Sequence, residues 1–248
     1  MAKKILLAGE SWTSYTVHVK GFDAFYTSAY AEGAGTLIDA LKKGGYEVDY
    51  MTNHVVAGSF PLTMEEIGKY ACVILSDTGS NTLLLHPDVF SKSIRMPNRC
   101  ALIRDYVRQG GALMMVGGYM SFSGVDAKAK YGYTPVQEVL PVECLRCDDL
   151  AEHPEGVTPK VVKEHPAIKG LGEWPHFLGY NRTFAKTDSE IVMTINGDPF
   201  LVFGNFGKGR SAAFTSDCAP HWGPPEFVNW KGYDPLWKGI LDYLTEGA

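Results

Sequence analysis

Four short strand-like runs, residues 4–9, 46–51, 72–76 and 112–116, alternate along the chain with stretches whose apolar residues recur at helical spacing. Residues 33–43 place Leu37, Ile38 and Leu41 on one face and stop at Gly44-Gly45. Residues 98–109 place Leu102, Ile103, Tyr106 and Val107 inward and stop at Gly110-Gly111. Such spacing, closed by glycine, predicts an amphipathic helix in each case. Strands and helices in alternation predict right-handed βαβ units, and hence an α/β fold whose parallel sheet is covered on both faces. Toward the C-terminus the pattern changes. Residues 190–195 and 200–203 are strand-like, Gly207-Lys208-Gly209 forms a turn, and 210–216 is a further strand-like run, so an antiparallel extension is expected. A last helix over about 235–244, with Leu236, Ile240, Leu241 and Leu244 at helical spacing, closes the fold. Residues 125–180, rich in Pro, Gly and His, read as an irregular insertion covering one end of the sheet. With no internal repeat, low-complexity tract or linker, 1–248 is expected to form a single domain.

The run 112–116 ends in Gly117-Gly118, a buried strand breaking into the tight turn that lifts a side chain above a parallel sheet. Acyl transfer calls for Cys or Ser at that point. The chain has Tyr119, whose phenol, with a reference pKa of about 10, is almost wholly un-ionised at neutral pH. Ligands of open α/β sheets bind beyond the carboxyl ends of the strands. Glu10 follows the first run, Asp77 the third and Ser121 the fourth, while Asp217, His221 and Trp222 follow the last. Asp217 and His221 are the expected acid/base pair, with Tyr119 as a third catalytic candidate that donates a hydrogen bond. Glu10, Asp77, Ser121 and Trp222 are the expected substrate-binding residues. Any one acid could equally cap a helix or tie a loop. The gathering of acids, hydroxyls, an imidazole and indoles at one rim is what points to a small polar partner.

A formal charge of −5 and a pI of about 5.8 argue against a surface that neutralises nucleic-acid phosphates or sits on an anionic membrane. The apolar stretch 5–8 is too short for a secretory signal, and no segment approaches the roughly 20 apolar residues that span a bilayer, so a cytoplasmic location is expected. The five cysteines, Cys72, Cys100, Cys144, Cys147 and Cys218, are an odd, scattered set, for which reduced thiols are the expectation. Cys144 and Cys147 have metal-ligand spacing and His153 and His165 could add donors, but no second cysteine pair exists to close a zinc site. Gly33-Ala34-Gly35 stands too far past the first strand for a dinucleotide turn, so neither metal nor cofactor is expected. No Gly-x-Ser-x-Gly surrounds Ser121 or Ser123. Trp222, Trp230, Tyr233 and Trp237 read as packing against the sheet, with a sugar-stacking platform as the alternative. A homo-oligomer is consistent with the aromatic content.

Three stretches carry a resemblance: 108–122 around the Gly-Gly turn, His165-Pro-Ala-Ile-Lys-Gly170, and 207–222 from Gly-Lys-Gly to Asp217, His221 and Trp222. They resemble the class I glutamine amidotransferase-like proteins, within them the putative glutamine amidotransferase group, and more distantly the trehalose-utilisation-type proteins linked to sugar metabolism. This resemblance implies a flavodoxin-like three-layer α/β/α sandwich with a mostly parallel central sheet. Glutaminase domains of the superfamily carry Cys in a Gly-x-Cys-x-Gly elbow and a later His-x-Glu pair. Here Tyr119 occupies the elbow, and two residues beyond His221 stands Gly223. The expectation is therefore a protein of this fold that is not a glutaminase and that acts on or binds a small polar metabolite, possibly carbohydrate-derived. The alternative is an inert binding or assembly module.

Overall fold

Side chains of the first strand alternate between two cores. In the computed structural model, which describes residues 2–246 and leaves Met1, Gly247 and Ala248 outside, β1 (Lys4–Gly9) sends Ile5 and Leu7 into one core and Leu6 and Ala8 into the other. Burial on both faces is why such strands read as continuous apolar runs. The chain then leaves as a hairpin, β2 (Ser11–Lys20) and β3 (Asp23–Glu32), and returns through the helix Gly35–Lys43 to β4 (Glu47–Met51). After β5 (Cys72–Ser76) and the helix Arg99–Arg108 comes β6 (Ala112–Val116). The middle supplies β7 (Val142–Cys144), β8 (Leu150–Val157), β9 (Lys160–Val161), β10 (Phe177–Asn181) and β11 (Thr183–Ala185). The chain ends with β12 (Glu190–Ile195), β13 (Asp198–Phe206), β14 (Gly209–Phe214) and the helix Tyr233–Leu244.

One eight-stranded sheet has the order β4-β1-β5-β6-β14-β13-β12-β9. Its first five strands pair in parallel, and β13, β12 and β9 add antiparallel, the mostly parallel α/β sheet with an antiparallel extension that the sequence implies. Asn196-Gly197, both left-handed at φ 49° and 90°, make the tight turn from β12 to β13. Helices Gly35–Lys43 and Tyr233–Leu244 pack on one face with Ile74 and Met114, while Arg99–Arg108 packs on the other with Val73 and Met115. This is the three-layer sandwich.

One expectation changes, and one element is new. Residues 125–180 are not irregular: β8 pairs with β10 and β7 with β11, and this layer closes over the carboxyl ends of the strands. Residues 11–32 form a hairpin that projects from the body, with Ser11 its one buried residue. Among the described residues no helix is long and apolar enough to cross a membrane.

Candidate functional site

β1, β5, β6 and β14 end side by side, and the chain turns sharply beyond them. Glu10 and Asp77 both adopt left-handed backbone, φ 47° and 43°, which is uncommon for residues with a Cβ and costs about 1–3 kcal/mol. Local bonds hold them there. Glu10 N–H donates to Ser76 O at 2.8 Å, and Glu10 O accepts from Gly33 N–H at 2.9 Å and from the Tyr50 hydroxyl at 3.0 Å. Asn53 Nδ2 donates to Asp77 O at 3.0 Å, and Asp77 Oδ1 accepts from Met120 N–H at 2.7 Å.

The Gly-Gly turn after β6 has no room for side chains. A Cβ on Gly117 would stand 2.4 Å from Thr215 O, and Gly118, at φ 148°, would put one 2.9 Å from Asp77 Oδ1. Gly118 N–H donates to Asn181 Oδ1 at 2.9 Å. Asn181 in turn donates to Gly118 O at 3.1 Å and to Asp149 Oδ1 at 2.8 Å. Asp149 also accepts Ser123 N–H at 2.8 Å and Gly124 N–H at 3.0 Å. Asn181 and Asp149 are both buried, so a polar network from the middle layer fixes the turn that carries Tyr119.

These bends bring Glu10, Asp77, Tyr119, Asp217 and His221 around one cavity of about 340 Å³, its lining completed by Trp12 and Pro220. Other hollows on the protein are larger, but their linings do not combine several acids with an imidazole and a phenol. Burial, with Asp217 and Asp77 adding repulsion, holds the Glu10 carboxyl well above the usual carboxylate range, and Ser76 Oγ donates to its Oε2. Burial pushes Asp77 up to about 6, against the opposing bond from Met120 N–H. His221 Nδ1 lies 3.8 Å from Asp217 Oδ2, an ion-pair approach longer than a hydrogen bond, and its ring meets Tyr119 edge-on at 4.5 Å. Tyr119 donates to Glu152 Oε1 at 2.9 Å, and partial burial together with Glu152 holds its phenol above the usual value. The cavity thus offers proton donors and acceptors of unlike acidity within one small volume, the basis of acid/base chemistry.

Ser121 and Trp222 do not line the cavity. Ser121 is buried, donating to Val116 O at 2.6 Å and accepting Asp77 N–H at 3.2 Å, so it braces Asp77 from below. Trp222 is fully buried, and its Nε1 donates to Glu152 Oε2 at 3.0 Å. Glu152, absent from the sequence reading, therefore ties Tyr119 and Trp222 together from β8. Trp12, one of the indoles that the sequence puts at the rim, was not singled out as a binding residue, since its place on the cavity depends on where the hairpin leaves the sheet. Trp237 and Tyr233 lie in the core, and half-buried Trp230 packs against it beside Trp174, so this stretch packs as expected.

Thiols offer little at this site. Cys218 Sγ is buried 3.9 Å from Ser76 Oγ, and burial with the neighbouring Glu10 and Asp217 pushes the thiol far above its usual value. Glu10, Asp217 and Cys218 are the one trio among the described residues close enough to share a metal ion. Burial raises both the Cys218 thiol and the Glu10 carboxyl above their usual ranges, which makes them poor cation donors, because binding must displace protons that burial favours. Cys144 is buried and Cys147 exposed, and they belong to no such group.

The family model described as putative glutamine amidotransferase matches residues 4–246, and the chain belongs to this glutamine amidotransferase-like family. Two solved structures of cytoplasmic proteins from Salmonella typhimurium are each 45% identical to it with TM-scores of 0.95, covering 97% of this chain and 98% and 99% of theirs. A ThuA-like protein from Parabacteroides merdae, described as putative, shares the fold at 11% identity and a TM-score of 0.60, over 100% of this chain and 91% of that one. No curated protein matches.

Proposed function

We propose that this family member holds a small, uncharged or amine-bearing polyhydroxylated metabolite in the rim cavity, and that it does not hydrolyse glutamine through a cysteine thioester. The observation that carries the reading is the lining itself: three carboxyl groups, one imidazole, and no Lys or Arg. As carboxylates, Asp77 and Asp217 accept hydrogen bonds from hydroxyl and ammonium groups and repel phosphates and carboxylates, so such a wall selects against anions. Trp12, 42% exposed, and Tyr119 supply aromatic surface against which the apolar face of a sugar ring packs. A volume of about 340 Å³ falls at the small end of ligand pockets.

Each residue has a role in this reading. Asp217 and Asp77 accept from the ligand, Glu10, whose burial favours its protonated form, is the donor acid, and Tyr119 donates to a ligand oxygen in place of Glu152. His221, steered by Asp217, moves a proton to or from the reacting group. Tyr119, un-ionised at the bend after β6, is no substitute for a thiolate nucleophile. A cytoplasmic location belongs to the same reading, supported by the names of the two Salmonella relatives and by five unpaired cysteines.

Thermal melts with D-glucose, D-glucosamine and D-glucose 6-phosphate test the proposal. The neutral and amino sugars are expected to raise Tm, by an amount equivalent to about 2.7 kcal/mol at a hundredfold excess over Kd. The phosphate is expected to have no effect, and Asp217→Asn to abolish the shift. Because Asp77 must be ionised to accept, the shift is expected to fade as pH drops through about 6, and Asp77→Asn to remove that pH step. A shift confined to the phosphate, or one unchanged in Asp217→Asn, would overturn the reading.

A further inference from the structure

We propose that the β2–β3 hairpin is an oligomerisation arm whose apolar face is covered by the same face of a second copy of this chain. The strands are ten residues each, so the arm extends roughly 30 Å at the rise of a strand. Every residue of β2 beyond Ser11 except His18, and every residue of β3 except Ala31, is exposed. An isolated two-stranded hairpin is marginal in water, and a permanently bare one this long needs a partner.

Its two faces differ. The pairing sets Val17 opposite Tyr26 and Thr13 opposite Tyr30, so Tyr15, Val17 and Val19 share one face with Tyr26 and Tyr30. Its one charged group is Glu32 at the root, where the Tyr30 hydroxyl donates to Oε1 at 2.8 Å; from there to the tip the face is uncharged, and Tyr15, Val19 and Tyr26 are 78%, 71% and 74% exposed. The opposite face closes on itself: His18 stacks on Phe25 at 4.4 Å and bonds to Thr27 Oγ1 at 3.2 Å, with Lys20 and Asp23 near the tip. Aromatic side chains bury about 150–250 Å² each, so the apolar face and the fully exposed Phe22 at the tip offer roughly 800 Å², which is one partner's share of a standard-size interface.

A second copy is the occupant that fits. The uncharged outer stretch of the face, from Thr13 to the tip, meets its own image across a two-fold axis without like-charge repulsion, and two such ribbons stack as sheets do, about 10 Å apart. The arm is also rooted at the site: Trp12 lines the cavity, and Glu10 precedes the first residue of β2. Clasping two arms therefore fixes one wall of each cavity. This inference stands apart from the ligand proposed above, since it needs none.

Light scattering on the purified full chain at micromolar concentration is the test. The wild type is expected at an even multiple of 27.2 kDa. Tyr15→Asp with Tyr26→Asp, and the milder Val17→Lys, are each expected to run at the single-chain mass with thermal melts that show the body still folded. Lys20→Ser with Asp23→Ser, on the opposite face, is expected to leave the oligomer intact. A single-chain wild type would overturn the proposal in favour of a different partner protein. So would an oligomer that survives both apolar-face variants, or one that the opposite-face variant dissociates.

Discussion

Arg99→Met is expected to destabilise the protein by about 4 kcal/mol, read as a fall in Tm of about 10 °C. Arg99 is 1% exposed, and no carboxylate pairs with it among the described residues. Its guanidinium instead donates to four backbone carbonyls: Leu83 and Thr82 of the helix Ser80–Leu84, and Val56 and Ala57 of the helix Asn53–Ser59. Late carbonyls of a helix have no partner within it, and both helix dipoles point their negative ends at this cation. Methionine fills much of the volume but takes the guanidinium donors away; Val56 O keeps the Phe60 N–H at 3.2 Å, and each of the others costs about 1–3 kcal/mol where it finds no water. Lysine is expected to recover only part of the loss, since a compact ammonium cannot reach four carbonyls in a plane. The consequence reaches the site. Asn53, at the start of one clamped helix, donates to Ser11 O at 2.7 Å and to Asp77 O at 3.0 Å, so loosening Arg99 frees the backbone that presents Asp77.

Asp149→Asn is expected to cost about 3 kcal/mol and to loosen the turn bearing Tyr119. Its carboxylate accepts three N–H groups, from Ser123, Gly124 and Asn181, divided over both oxygens. An amide nitrogen in place of either oxygen confronts a donor, so at least one buried N–H loses its partner and the Asn181 bridge to Gly118 shifts with it. A fall in Tm of about 8 °C, with faster hydrogen exchange at Gly118 and Gly124, is the expected result. Unchanged stability would mean that water replaces the carboxylate.

The sheet was legible because burial on both faces leaves a signal that needs no partner to interpret: Ile5–Ala8, Val73–Leu75 and Leu113–Val116 are apolar throughout. The five cavity residues were legible for a topological reason. Each follows the carboxyl end of a strand, and parallel strands must end on the same side. What the sequence hid is nonlocal. Arg99, first residue of an amphipathic helix, reads as solvated until two other helices bring their carbonyls to it. Asp149 and Asn181 lie in a stretch rich in turn formers, and their partners are residues of the turn after β6 and each other. Glu152 gains meaning only once β8 lies beside Tyr119. The hairpin has the period-2 spacing of Tyr15, Val17 and Val19, but its turn, Gly21-Phe22, is not among the strongest hairpin signals. Ser121 and Trp222 show the limit of reasoning from strand ends. Both stand at the rim in sequence, and both turn inward to brace the residues that face the cavity.

Ammonia release from L-glutamine, followed over many turnovers for the wild type and for Cys218→Ser, bears most directly on the claim that a carboxylate-lined cavity rather than a thiol defines this protein. No release above background is predicted from either. Sustained release by the wild type that Cys218→Ser, or a change at any other single cysteine, abolishes would contradict it.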